Sequence, residues 1–124
     1  MSNRREEIFE YLPLREPTLI ILLSLADGEK HGYAILKDVA EISNGKVRLS
    51  TGTLYEALAR LLDQGLIERA TDLPQAGRED RHPGRPRKAY RLTLKGGQVI
   101  GAEISRLQTL VATAQQRLGF AASD

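Results

Sequence analysis

Cysteine is absent from the 124 residues, which removes a disulfide framework, a thiolate zinc site and a cysteine nucleophile together. Histidine is nearly absent: His31 and His82 lie far apart and without a surrounding set of other ligand types, so no metal is expected. There is no Gly-x-Ser-x-Gly turn, no His-Glu-x-x-His pair, no phosphate-cradling glycine loop and no dinucleotide fingerprint, and the carboxylates fall on apparent solvent faces. No enzyme and no cofactor is therefore expected. Long apolar runs are missing too. Residues 19–25 form the longest, broken by Ser24 and far below the roughly 20 residues a membrane-spanning helix needs. The first residues carry Arg4, Arg5, Glu6 and Glu7, unlike a signal sequence, so a cytoplasmic protein with no membrane partner is the expectation.

A strong net charge is also lacking. The formal value of +2 does not by itself announce nucleic acid, but the charge is unevenly placed. Arg78, Arg81, Arg85, Arg87, Lys88, Arg91 and Lys95 fall within one segment against only Glu79 and Asp80, which makes a local basic patch. With 41% hydrophobic and 27% charged residues the composition is that of a folding chain, and its length suits one core with at most one appendage.

Periodicity then supplies the elements. Residues 4–12 read as a short helix stopped by Pro13. Pro17 suits the first turn of a nearly all-round apolar, hence buried, helix that ends at Asp27 and Gly28. A further helix spans residues 31–42, with Ile35, Leu36, Val39, Ala40 and Ile42 on its apolar face, and Asn44-Gly45 closes it. Residues 46–49 alternate and read as a very short strand. Ser50 and Thr51 supply capping hydroxyls to a helix with Leu54, Leu58, Leu61 and Leu62 on one side, which Gly65 ends. Strands are expected over 66–70 and 88–94, joined by a loop rich in proline, glycine and arginine, and Thr93 caps a last helix that reaches Leu118. The fold class is mainly α with a small β wing: a winged helix-turn-helix over residues 1–94, then a dimerisation helix and tail over 95–124.

Three features bear on function. In a helix-turn-helix the start of the second helix faces the major groove, and here that start carries Ser50, Thr51, Gly52, Thr53 and Tyr55, whose small side chains and free N–H groups admit a phosphate or base edge. Simple capping by Ser50 and Thr51 explains part of the same pattern equally well. In the loop, proline on both sides of Gly84-Arg85 holds the arginine out as a probe for a narrow minor groove, against the alternative of a solvated basic loop. In the last helix Ile100, Ile104, Leu107, Val111, Ala114 and Leu118 keep a/d spacing, a seam that takes either a twin helix or the helix's own domain. His31 beside Gly32 reads as a helix-start residue facing backbone or phosphate.

The ordered set His31-Gly32-Tyr33-Ala34-Ile35, Gly52-Thr53-Leu54-Tyr55, Gly65-Leu66-Ile67 and Gly84-Arg85-Pro86-Arg87-Lys88-Ala89-Tyr90-Arg91-Leu92-Thr93 resembles the PadR family of transcriptional regulators, over residues 13 to about 97. The resemblance implies a repressor that binds a double-stranded DNA operator as a homodimer and leaves it when a small hydrophobic or aromatic effector binds. It puts Gly52, Thr53 and Tyr55 on the reading helix, Tyr33 near the phosphates, and Arg85, Arg87 and Lys88 on the wing. Two departures are plain. Glu56 follows Tyr55 where the family often has proline, and tryptophan, on which multidrug-binding members stack flat ligands, is absent. Phe9, Tyr11 and Phe120 serve equally as pocket or packing residues. Two other classes remain open: a protein-interaction adaptor on the same scaffold, and a non-specific nucleic-acid packaging protein, for which the charge is low.

Overall fold

Among residues 4–70 and 88–119, which the computed structural model describes, the order is α1 (Arg4–Phe9), α2 (Glu16–Ser24), β1 (Lys30–His31), α3 (Gly32–Ile42), α4 (Thr51–Asp63), β2 (Ile67–Arg69), β3 (Ala89–Leu92) and α5 (Leu94–Leu118). The strands make one antiparallel sheet, β1-β3-β2, with Lys30 opposite Tyr90 and Glu68 opposite Arg91. This is the winged helix-turn-helix with a long C-terminal helix.

α2 is the centre. Its Ile20, Ile21 and Leu22 are buried, together with Leu25 just beyond it, in one core cluster with Ile35 and Val39 of α3, Leu54, Leu58 and Leu61 of α4, and Val99 and Ile100 of α5. Burying each such side chain contributes about 2 kcal/mol, so the leucine face of α4 fixes its rotation and turns the opposite face outward. Lys30 locks the end of α2, donating to the Ser24 carbonyl at 2.5 Å and pairing with Asp27 at 2.6 Å.

Three expectations change. The first helix ends at Phe9, and the N–H groups of Glu10, Tyr11 and Leu12 bond three residues back at 3.2, 3.1 and 3.0 Å. Pro13, which lacks an N–H and disfavours a helical residue before it, explains the tightening. Residues 46–49 form no strand, and their first two amides turn back onto Ser43: Lys46 N donates to Ser43 O at 3.0 Å and Val47 N to Ser43 Oγ at 2.9 Å, while that hydroxyl donates to Val39 O at 2.9 Å. The third strand is instead β1, two residues long.

The last helix departs from the third expectation, of solvent-facing carboxylates. α5 is 25 residues long, about 37 Å at 1.5 Å per residue. Its first half packs on α1 and α2. There Glu103, only 1% exposed, accepts from Leu14 N at 3.0 Å and from Arg106 at 2.6 and 3.0 Å. The Arg106 guanidinium, helped by the Leu14 amide and opposed by burial, holds the Glu103 carboxyl below its ordinary range. The carboxylate thus fastens the chain after Pro13 onto α5.

Candidate nucleic-acid interface

The start of α4 is built by its caps. Ser50 Oγ accepts from Thr53 N at 3.1 Å and donates to Thr53 Oγ1 at 2.9 Å, the expected N-cap. Because Thr53 Oγ1 accepts from Ser50, its own proton is free to be donated outward. Thr51, Gly52 and Thr53 are exposed, and a Cβ added at Gly52 would meet nothing within 4 Å. One surface therefore presents two hydroxyls, a bare backbone and the unpaired N–H groups of the first turn, while Leu54 and Leu58 hold the other side in the core.

Tyr55 has two jobs within its reach. It is 39% exposed, yet its hydroxyl occupies the space a Cβ would need at Gly32, so its ring spans from α4 to the first turn of α3. It also lies near buried Tyr90, whose phenol is pushed up by burial first and by the Tyr55 phenol second. Tyr33, the next residue after Gly32, is 72% exposed, and the start of α3 thereby stands beside the start of α4. His31 is the N-cap residue of α3, the helix start expected of it, with no side-chain capping hydrogen bond and with its Nε2 buried.

The basic segment is partly spent on the fold. Arg91 pairs with Glu68 across β3 and β2 at 2.7 Å, and Lys95 donates to the Gln64 carbonyl at 3.2 Å while lying 4.9 Å over the Tyr11 ring. Lys88 is exposed beside β3, whereas Arg85 and Arg87 lie outside the described residues. Among the exposed cations not singled out from the sequence are Lys37, whose Nζ is 5.9 Å from the Tyr33 ring, Lys46 and Arg48 in the turn before α4, and Arg69 on β2. The signal of the first three was available, since Lys37 is one turn on from Tyr33 and Lys46 and Arg48 shortly precede the Ser50 cap.

The α5 seam is divided. Ile100 is in the domain's own core and Ile104 packs against it, Leu107 is half-buried, and Val111, Ala114 and Leu118 are exposed. Leu110, off the expected seam, is exposed as well.

Comparison with known proteins decides the family. The model of the "Transcriptional regulator PadR-like family" matches residues 21–102, which takes in α3, α4, the sheet and the start of α5. The chain belongs to the PadR-like family of transcriptional regulators. A PadR family transcription regulator from Clostridium difficile R20291 is 25% identical with a TM-score of 0.66, covering 84% of this chain and 99% of that one. Bacillus subtilis PadR, solved in complex with operator DNA, is 27% identical with a TM-score of 0.57, covering 73% of this chain and 48% of that one. An uncharacterized 37.1 kDa protein in transposon TN4556 of Streptomyces fradiae is 35% identical over 107 residues, and this chain spans only 29% of its length. No helix among the described residues of this PadR-like chain is long and apolar enough to cross a membrane.

Proposed function

We propose that the chain is a sequence-specific DNA-binding repressor that reads a pseudo-palindromic operator as a homodimer and is released by a small hydrophobic or aromatic effector. The observation that carries this reading is the outward surface of the first turns of α4, where exposed Thr51, Gly52 and Thr53 surround free backbone N–H groups on a helix held rigidly by its leucine face. The likeness to a PadR solved with operator DNA supports it. Tyr33, Lys37, Lys46 and Arg48 take phosphates on either side of α4, and Arg85, Arg87 and Lys88 enter from the wing. Glu56, next to Tyr55, accepts from cytosine N4 in the groove. Residues 95–124 are the dimer arm of a reading domain over residues 1–94, and the exposed Val111, Ala114 and Leu118, with Leu107, meet their copies in the second subunit. The protein works in the cytoplasm and catalyses no reaction.

Strand-cleavage protection of the DNA upstream of the protein's own gene tests this. Two protected half-sites in inverted repeat, one helical turn or a multiple of about 10.5 base pairs apart, are expected. Protection of a single site, or of none, contradicts the dimeric operator reading.

A further inference from the structure

The C-terminal end of α4 and the N-terminal end of α5 share one hydroxyl group. α4 closes with Gly65 in the left-handed conformation, φ +76°, while Gly65 N donates to Leu62 O and Leu66 N to Leu61 O, both at 3.0 Å. The next three carbonyls are turned toward α5. Gln64 O accepts from Lys95 Nζ at 3.2 Å, Gly65 O from Thr93 Oγ1 at 2.7 Å, and Leu66 O from Thr93 N at 3.1 Å. The same Thr93 Oγ1 accepts from Gly96 N at 3.0 Å and so starts α5. Gly96 is the place where the two backbones touch: a Cβ there would overlap the Leu66 carbonyl oxygen and stand 3.0 Å from both the Leu66 carbonyl carbon and Leu92 Cδ1. Neither backbone can yield without moving a helix end.

We propose that Gly96 and Thr93 are positioning residues that set the angle between the reading helix and the dimer arm, and through it the half-site spacing the dimer accepts. The inference rests on the proposed DNA reading and on dimerisation through α5. Its physical basis is leverage. α4 is held to α5 at its C-terminal end and presents its DNA-facing residues at the other, about 20 Å away over 13 residues. A displacement forced at Gly96 is carried along α4 toward Thr51 and Thr53 to the extent that its leucine face can shift in the core, while Thr51 and Thr53 keep their chemistry. Half-site sequence and half-site spacing are separable consequences, and this joint acts on the second.

The test is selection from a random-sequence duplex pool by wild type, Gly96→Ala, Thr93→Val and Thr93→Ser, each first checked for helicity and dimer mass. Thr93→Val deletes only the shared hydroxyl and keeps the measurement decisive where Gly96→Ala does not fold. Wild type and Thr93→Ser are expected to enrich the same half-sites at one sharp spacing. Gly96→Ala and Thr93→Val are expected to enrich the same half-site sequence at a spacing shifted or broadened by one base pair or more. Unchanged spacing and sharpness in both variants overturns the proposal, because a purely stabilising role lowers yield or affinity without moving spacing. A wild-type selection that yields no paired half-sites instead overturns the DNA-reading proposal on which this one stands, and it does so before any variant is compared.

Discussion

Gly52 costs the free protein stability for no internal reason. It lies in the first turn of α4 with open space where a side chain would be, and glycine is about 1 kcal/mol worse than alanine inside a helix. Gly52→Ala is accordingly expected to leave the melting temperature unchanged or slightly raised while weakening operator binding at least tenfold, as followed by thermal unfolding and DNA titration. Loss of stability with full binding would place the demand for glycine inside the fold. Glu103 is the opposite kind of residue, buried and bonded within the fold. Its carboxyl is held below the ordinary value of 4.5, chiefly by Arg106, so the stability it lends is present above that value and lost as pH falls through its lowered folded value. Glu103→Ala should cost about 2 kcal/mol at neutral pH, the worth of a hydrogen-bonded charge, and should flatten the acid side of the stability curve. An unchanged acid limb in denaturant titrations would contradict this.

At the scale of elements, the caps of α4 and α5 were legible in the sequence because capping is local, whereas α2 ends at Ser24, short of the expected Asp27 and Gly28. Ser50 and Thr93 sit where a hydroxyl must precede a helix, and Gly65 where a left-handed residue must follow one. β1 was not legible, since two residues cannot display alternation and its pairing comes only from β3. Nor was the burial of Glu103. Its face is covered by α1 and by the chain leading to Leu14, contacts that the periodicity of α5 does not encode. The same blindness ran the seam of α5 into one continuous stripe, although its first residues fill the domain's own core and only the remainder is left for a partner. Leu107 stands at the change. Leu107→Glu places a carboxylate there that costs several kcal/mol to bury unpaired in a dimer, and it is expected to give folded monomers by light scattering. A folded variant that remains dimeric moves the interface elsewhere.

For the whole molecule, the decisive quantity is where its few surplus charges stand. Two members of the basic segment also serve the fold, since Arg91 pairs with Glu68 and Lys95 braces the joint between α4 and α5. The exposed cations among the described residues include Lys37, Lys46 and Arg48, on or beside the two helices of the helix-turn-helix, and Arg69 and Lys88 at the strands of the wing. Arg85 and Arg87 add to them from the sequence. Each phosphate contact steepens the dependence of log affinity on log salt by about 0.9, so Arg85→Ala with Arg87→Ala should flatten that slope for every duplex alike. A slope that does not change removes these arginines from the backbone.

The central claim is that the exposed turn of α4 reads base sequence, and it is tested most directly by titrating the protein against DNA from upstream of its own gene and against a scrambled duplex of equal length, at two salt concentrations. Phosphate contacts lose affinity on both duplexes as salt rises, whereas base contacts keep their difference. The expected result is preferential binding to the upstream duplex that persists at the higher salt. Equal, salt-labile binding to both duplexes, or binding to neither, would contradict the account.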